Sequence, residues 1–236
     1  KYASNSFLAA KISFINEIAL LCEALGADVE VVARGMGLDS RIGPKFLHPG
    51  PGFGGSCFPK DSRAIVQIAQ NQGQKFRIME AVLEVNQTTK NRMVDKIEHA
   101  VDGGLKGKTI GVLGLSFKPE TDDFRESPAI EVVDGLLSRG AAVRAFDPAS
   151  MDECRQKWPS VVFCDDAYQV ARGADALVIV TEWNQFRALE LTKLRSLLAE
   201  PVIVDLRNIY EPARMAAAGF RYVSVGRPPV GGKEIN

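Results

Sequence analysis

The sequence predicts an α/β chain whose first part is all helix and whose second part is a parallel sheet covered by helices. Two observations lead to this prediction. Up to about residue 103, apolar residues recur every three or four positions, which is typical of helices that bury one face. From about residue 109, short apolar runs alternate with helical segments, which indicates a Rossmann-like parallel sheet. We therefore divide the chain into residues 1–103 and 104–236.

Composition excludes several classes of protein. The chain has 236 residues, and its 29 basic and 29 acidic side chains give no net charge, so nothing suggests a partner nucleic acid. The four cysteines form no C-x-x-C pair, and two histidines are too few for a zinc site. We find neither a membrane span nor a signal peptide, and expect a cytoplasmic location. Because a helical pattern is under way within a few residues of Lys1, we expect a chain cut from a longer protein.

The first predicted helix covers residues 5–25 and ends before Gly26. Its apolar residues occupy more than one stripe, which favours burial by a partner as well as by its own chain. We therefore expect a homodimer formed through this long helix.

Three more helices are predicted in the first part. One follows the capping residue Asp28 and reaches Met36. Another starts at Pro59, a residue suited to the first helical position. The last runs from about residue 76 to 101, with Ile78 in its apolar stripe, and its polar residue Asn86 is expected to be solvated.

The second part carries five predicted strands and a possible sixth, with a helix after each of the first five. Ligands of such sheets bind at the carboxyl ends of the strands, so the loop 116–127 is the expected binding loop of this part. The predicted strands are 109–115, 142–146, 161–163, 176–181, 202–205 and 222–225, and the helices are 128–138, 151–157, 166–172, 189–199 and 211–218.

The stretch 49–61 is the most distinctive part of the sequence. Four glycines and three prolines in thirteen residues predict a shaped loop that brings backbone N–H groups close to a ligand. Cys57 lies just before a predicted helix, whose dipole favours the thiolate. Lys60 adds positive charge, and Asp61 could orient a water or a proton. We interpret Cys57 as a nucleophile; the alternative is a buried structural thiol.

Residues 52–61, Gly-Phe-Gly-Gly-Ser-Cys-Phe-Pro-Lys-Asp, resemble the active-site loop of the UDP-glucose/GDP-mannose dehydrogenase family. The resemblance covers essentially the whole chain. It implies a helical central dimerisation domain followed by a Rossmann-like nucleotide-sugar-binding domain. The family's N-terminal NAD-binding domain, with its Gly-x-Gly-x-x-Gly motif, has no counterpart in this sequence.

The resemblance also implies catalytic roles. Cys57 would be the nucleophile, and Asp61 would work beside it. Lys1 would stabilise a developing alkoxide, and Asn5 would help to hold an oxygen or a water. Lys1 and Asn5 are four residues apart and share a helix face if the helix extends back that far.

Binding roles follow from the resemblance in the same way. Arg41 would reach across a dimer interface to the partner's sugar. Arg125 and Lys60 would contact NAD, which is held mainly by a domain absent from this chain. For each loop arginine the alternative is a surface ion pair with Asp122, Asp123 or Glu211, and Leu206, where many relatives have glycine, weakens the interpretation of Arg207. The residues expected to bind the UDP-sugar are Phe46, His48, Phe53, Gly54, Phe117, Lys118 and Arg207.

The implied reaction is the NAD-dependent four-electron oxidation of UDP-glucose to UDP-glucuronate through a thiohemiacetal and a thioester on Cys57. The alternatives are oxidation of GDP-mannose or another nucleotide sugar, and a non-catalytic nucleotide-sugar-binding dimerisation module. The implied partners are UDP-glucose, UDP-glucuronate and a second copy of the chain. No metal is expected.

Overall fold

A computed structural model describes residues 1–231, and four helices form its first part: α1 (Tyr2–Leu25), α2 (Val29–Gly37), α3 (Phe58–Asn71) and α4 (Arg77–Ala100). Helix α1 begins three residues earlier than predicted because the carbonyl of Lys1 already accepts the N–H of Asn5, at 3.0 Å. The predicted cap of α2 is confirmed, since the Asp28 carboxylate accepts the N–H of Glu30. No helix within residues 1–231 is long and apolar enough to cross a bilayer.

Two predictions about α4 are wrong. Asn86 is buried, because its side chain binds the backbone of the glycine-rich loop instead of water. Ile78 is 67% exposed, because it lies on the side of α4 that faces away from the chain's own core.

The second part is a six-stranded parallel sheet. Its order is β3-β2-β1-β4-β5-β6, so the direction of winding reverses between β1 and β4, where doubly wound sheets bind their ligands. The strands are β1 (Thr109–Leu113), β2 (Ala142–Phe146), β3 (Val162–Phe163), β4 (Ala176–Ile179), β5 (Val202–Asp205) and β6 (Arg221–Ser224).

Six helices connect these strands, against five predicted. The predicted helix 189–199 is present as the shorter α9, which begins after Glu190 because that residue has extended backbone angles. The extra helix, α8, precedes it and was not predicted. The helices are α5 (Pro128–Ser138), α6 (Met151–Lys157), α7 (Ala167–Ala171), α8 (Asn184–Arg187), α9 (Leu191–Leu197) and α10 (Pro212–Ala217).

The two parts share one apolar core. Helices α1, α2 and α4 pack their buried faces against α5 and one face of the sheet, and a second core covers the other face. The shared core includes Ile15, Ala33, Val94, Val112, Val133 and Val204. The division into residues 1–103 and 104–236 stays a prediction, since the turn that follows α4 joins parts that are buried against each other.

Candidate active site

The glycine-rich loop between α2 and α3 is buried from Pro49 to Gly55 and held by two asparagines. The Asn16 Oδ1 accepts the N–H of Gly50 at 2.8 Å. The Asn86 side chain accepts the N–H of Phe53 at 2.8 Å and donates to its carbonyl at 3.1 Å. Since buried backbone groups need partners, these two side chains fix the course of the loop.

Two glycines let this loop touch the loop that follows β1. A Cβ on Gly54 would lie 2.1 Å from the carbonyl oxygen of Glu126, so only glycine fits there. Gly55 has a φ of 81° and donates its N–H to the Arg125 carbonyl at 2.9 Å. The ring of Phe117 lies where a side chain on Gly55 would be. The helical part and the sheet therefore meet at this point without an intervening side chain.

Cys57 directly precedes α3 and is exposed, whereas Cys22, Cys154 and Cys164 are buried. Its Sγ lies 3.8 Å from the Ser56 hydroxyl. The prediction that Cys57 stands at a helix start is confirmed, and the alternative of a buried structural thiol is wrong, because the side chain is open to solvent.

Asp61 lies one turn into α3 and is fully buried. Its Oδ2 accepts the Asn5 amide at 2.6 Å and lies 3.3 Å from the Lys1 ammonium. No donor in the described part of the chain reaches its Oδ1. Burial raises the pKa of the Asp61 carboxyl, but the contacts with Asn5 and Lys1 outweigh it and lower that pKa. The structure thus brings together three of the predicted catalytic residues, one helical turn from Cys57.

A cavity of about 390 Å³ opens between α1, the glycine-rich loop and the carboxyl ends of the strands. Its wall includes Phe58, the residue after Cys57, but not Cys57 or the group around Asp61. The ring of Phe58 packs edge-on against Phe46 and Phe53, at centroid distances of 6.0 and 6.1 Å. The wall contains all seven residues predicted to bind the UDP-sugar and three more of the stretch 49–61, Gly50, Gly52 and Phe58. It also contains four residues that were not predicted: Ile12, Asn16, Lys45 and Glu182.

Arg207, which follows β5, points across the carboxyl ends of the neighbouring strands. It donates to the Val180 carbonyl at 2.7 Å and to the Phe117 carbonyl at 3.2 Å. Its acidic neighbour is Glu182, at 3.0 Å, not one of the acids expected from the sequence. Lys118 is exposed, with its ammonium 5.4 Å from the Phe117 ring centroid. Both cations border the cavity.

The predicted residues Arg41, Lys60 and Arg125 lie outside this cavity wall, as do the four predicted catalytic residues. Arg125 pairs with Asp123 through two contacts of 2.8 and 2.9 Å, as the alternative interpretation expected, and this pairing lowers the pKa of Asp123. Lys60 is exposed on α3. Arg41 pairs with Asp39 and borders a separate apolar groove on α1 and α4. Whether Arg41 serves a partner's site stays a prediction.

The crevice between the carboxyl ends of β1 and β4, where doubly wound sheets bind dinucleotides, is closed by the chain's own side chains. Asp147, which follows β2, accepts the N–H groups of Leu115 and Ser116 and those of Ala149 and Ser150. These backbone bonds lower the pKa of its carboxyl although burial raises it. In dinucleotide-binding sheets an acid after the glycine-rich turn binds a ribose, whereas both carboxylate oxygens of Asp147 accept hydrogen bonds from the chain itself. A Cβ on Gly114 would also lie 2.4 Å from Thr181.

Sequence reasoning missed Asn16, Asn86 and Asp147. The asparagines stand among apolar residues of predicted helices, and a polar residue at the edge of an apolar stripe is usually solvated. One signal could have identified Asn16. It lies eleven residues after Asn5, which is three helical turns, and therefore shares its face.

The fold thus joins a helical part to a doubly wound parallel sheet, with a cavity between them and an exposed cysteine and a buried carboxylate at the start of α3. A model of the UDP-glucose/GDP-mannose dehydrogenase family, central domain, matches residues 1–88, and a model of that family's UDP binding domain matches residues 111–212. The chain therefore belongs to the UDP-glucose/GDP-mannose dehydrogenase family. This confirms the family resemblance and the fold that the sequence predicted.

Individual relatives agree with this assignment. The chain is 54% identical over 228 residues to a UDP-glucose 6-dehydrogenase of Rhizobium meliloti, covering 97% of this chain and 52% of the relative. A solved UDP-glucose dehydrogenase from Pyrobaculum islandicum matches with a TM-score of 0.85 and 41% identity, over 96% of this chain and 50% of that one. An NDP-N-acetyl-D-galactosaminuronic acid dehydrogenase from Methanosarcina mazei has a TM-score of 0.87 and 29% identity, over 97% and 50%. The chain spans about half the length of these relatives.

Proposed function

We propose that this chain forms the sugar-binding and cysteine-bearing part of an enzyme that oxidises UDP-glucose to UDP-glucuronate with NAD. The observation that carries the proposal is the position of Cys57. It is exposed at the start of α3, one turn from a buried carboxylate with an oxygen that no donor in residues 1–231 reaches. The next residue, Phe58, lines the cavity together with the residues that the resemblance assigns to the substrate.

The chemistry begins at C6 of the glucose. Loss of the hydroxyl proton and a hydride turns the C6 alcohol into an aldehyde. Cys57 Sγ adds to the aldehyde carbon, and the oxygen takes a proton, which gives a thiohemiacetal. Loss of a second hydride and that proton leaves a thioester. Water then attacks the thioester carbon, the C–S bond breaks, and the cysteine leaves as a thiolate with the product carboxylate.

We assign the remaining catalytic roles to Lys1, Asn5 and Asp61. The ammonium of Lys1 and the amide of Asn5 stabilise negative charge on the C6 oxygen while it is an alkoxide or an oxyanion. The free Oδ1 of Asp61 accepts the proton of the attacking water. Because the neighbouring cation and amide lower the pKa of Asp61, the carboxyl is ionised at neutral pH and ready for that proton.

When bound, NAD would accept one hydride in each of the two oxidation steps. The crevice of the sheet does not fit a dinucleotide, because Asp147 and Thr181 fill it. The exposed edge that carries Cys57, Lys60 and Arg125 fits better, since these residues are open to solvent. We assign Lys60 and Arg125 to holding NAD, with the rest of its site supplied by the part of the relatives that this chain does not cover.

Lys118 and Arg207 are the cations assigned to the diphosphate, since both border the cavity. The segment from Phe46 to Gly54 holds the uridine through its backbone, and His48 has no acid–base role. The partners that follow are UDP-glucose as substrate and UDP-glucuronate as product.

A homodimer is also part of this proposal. Apolar residues on α1 remain open to solvent, with exposed fractions of 69% for Phe7, 50% for Phe14 and 76% for Leu25. Phe7, Phe14 and Ile78 border a groove of about 470 Å³ that Arg41 also lines, and Leu25 lies at the C-terminal end of α1. A second copy on this face would bury these residues and bring its Arg41 toward the neighbouring sugar. Sedimentation should give a dimer at micromolar concentration; a monomer would contradict this part.

The test of the function combines binding and turnover. Calorimetric titration of the chain should show weak binding of UDP-glucose and weaker binding of GDP-mannose. The chain alone should form no NADH, whereas the chain fused to the part of the Rhizobium meliloti relative that it does not cover should form two NADH per UDP-glucose. Its Cys57→Ala variant should not.

The other outcomes separate the alternatives. Preference for GDP-mannose would replace the substrate. Binding without NADH formation by the fusion would favour a non-catalytic module. NADH from the chain alone would show that the sheet binds NAD productively, and failure to bind any uridine nucleotide would contradict the whole proposal.

A further inference from the structure

Glu182 is the one carboxylate in the wall of the ligand cavity, as far as residues 1–231 form that wall. It follows β4, between two side chains that are anchored to neighbouring loops. The Thr181 hydroxyl donates to the Ser116 carbonyl at 2.6 Å, and the Trp183 indole donates to Asp147 at 3.3 Å. Because both neighbours are buried, the backbone between them is fixed, and it holds Glu182 at the carboxyl edge of the sheet.

The two oxygens of this carboxylate have different surroundings. Oε2 lies 3.0 Å from Nε of Arg207 and is covered by the protein. The side chain as a whole is 32% exposed and borders the cavity. Since Oε2 is covered, the open oxygen is Oε1. An ionised carboxylate only accepts hydrogen bonds, so Oε1 suits a ligand that brings a donor.

The orientation of Arg207 does not depend on Glu182. Its Nε–H is directed at the Val180 carbonyl, at 2.7 Å, and its Nη2 donates to the Phe117 carbonyl, at 3.2 Å. A carboxylate beside Arg207 and Lys118 also repels the diphosphate that these cations would bind. Glu182 therefore lowers the affinity for a bare diphosphate, and it raises the affinity only for a ligand whose donor reaches Oε1.

We propose that Glu182 is a specificity-determining residue, whose Oε1 accepts a hydrogen bond from a sugar hydroxyl of the nucleotide sugar. This inference rests on the proposed function, which assigns the diphosphate to Arg207 and Lys118. In UDP-glucose the diphosphate has the ribose on one side and the glucose on the other, whereas the base lies beyond the ribose. An acceptor next to the diphosphate therefore meets the hydroxyls of one of the two sugars. Hydroxyl donors form short and strong hydrogen bonds with a carboxylate.

The first experiment is calorimetric titration of the unchanged chain and of Glu182→Leu with UDP-glucose and with inorganic pyrophosphate. Glu182→Leu should bind UDP-glucose about tenfold more weakly. It should bind pyrophosphate, which has no sugar, at least as tightly as the unchanged chain does, because the repelling charge is gone. If Glu182 served only to hold Arg207, both ligands would bind more weakly, and that result would overturn the proposal. Glu200→Leu is the matched control, since Glu200 is exposed before β5 at the opposite edge of the sheet, and it should change neither affinity.

The second experiment identifies the hydroxyl from the ligand side. Analogues of UDP-glucose each lack one hydroxyl, at position 2′ or 3′ of the ribose or at position 2, 3 or 4 of the glucose. One analogue should bind to the unchanged chain about tenfold more weakly than UDP-glucose, and the position of its missing hydroxyl shows which sugar Glu182 contacts. In Glu182→Leu the same analogue and UDP-glucose should bind equally, because the partner of the hydroxyl is gone.

A second variant covers the case in which Glu182→Leu does not fold, as judged by its circular dichroism. Glu182→Gln keeps the shape of the side chain but removes the charge that strengthens the hydrogen bond, so the loss caused by the missing hydroxyl should become several-fold smaller. If every analogue loses the same factor with and without Glu182, the role of Glu182 is overturned. If the unchanged chain binds no UDP-glucose at all, the proposed function itself fails.

Discussion

Two buried carboxylates, one in each part of the chain, show how differently the two regions are built. Asp61 in the helical part and Asp147 in the sheet are at most 1% exposed, and hydrogen bonds lower the pKa of each. Donors reach both oxygens of Asp147, four of them backbone N–H groups. Asp61 has one oxygen that no described donor reaches.

This difference extends to the surroundings of each carboxylate. The saturated Asp147 holds together the loops at the carboxyl edge of the sheet, including the start of the loop that carries Phe117 and Lys118. Asp61 stands next to an exposed thiol and a partly exposed amine. A saturated carboxylate stabilises structure, whereas one with a free oxygen can exchange a proton. The comparison therefore assigns scaffolding to the sheet edge and chemistry to the start of α3.

The largest expected effect is on turnover in Asp61→Asn. In the fused enzyme, kcat should fall by about 10²- to 10⁴-fold, because the amide cannot accept the proton of the attacking water. Mass spectrometry should detect the thioester accumulating on Cys57. An unchanged kcat would show that Asp61, like Asp147, has only a structural role.

The next effect concerns the contact between the two regions. Gly54→Ala should lower the free energy of unfolding by about 3 kcal/mol, because its Cβ would overlap the carbonyl of Glu126. Urea denaturation measures this change. Gly35→Ala on the exposed side of α2 is the control, since nothing lies within 4 Å of its Cβ, and it should raise stability by up to about 1 kcal/mol. Equal effects of the two variants would show that the loops do not touch.

Asp147→Asn tests the scaffolding role. It should lower the free energy of unfolding at pH 7 by about 2 kcal/mol, because an amide offers one acceptor where the carboxylate offers two. Since the folded-state pKa of Asp147 is lowered, its contribution is present above the unfolded value of about 4 and is lost as pH falls through the folded pKa. The deficit of the variant should therefore shrink below about pH 4. A deficit that stays constant with pH would contradict this account.

The smallest effect is expected in thiol reactivity, where the difference lies between the exposed Cys57 and the three buried cysteines. Cys57 should be alkylated at least about tenfold faster than Cys22, Cys154 and Cys164, because those thiols are buried and burial raises the pKa of each, that of Cys154 to about 12. Peptide mapping after brief alkylation measures the order, and UDP-glucose should slow labelling of Cys57. Faster labelling of another cysteine would argue against a nucleophile at position 57.

The sequence predicted the regular elements well, because their apolar periodicity reflects burial directly. The helices α1 and α4 and the strands β1, β2 and β5 lie within a few residues of their predicted bounds. The short helix α8 (Asn184–Arg187) was missed, since four residues are too few to show an apolar period. The sixth predicted strand is present as β6, shifted by one residue.

The candidate site was predictable where the residues are unusual, and not where ordinary residues are used unusually. Cys57 and the glycines could be recognised from the sequence because the composition of residues 49–61 is unusual. Asn16, Asn86 and Asp147 do not, because their role depends on which backbone groups the fold leaves buried without partners. That property belongs to the packed chain and appears in no local pattern.

The shared core has a consequence for how the chain loses its structure. Residues of α1, α2 and α4 are buried in the same cluster as residues of β1, β5 and α5, and Lys90 of α4 forms a buried ion pair of 2.9 Å with Glu131 of α5. Neither part can open without exposing apolar surface of the other. Melting should therefore be a single cooperative transition for the whole chain, so any substitution that loosens the sheet also reduces the population in which the cysteine loop is assembled.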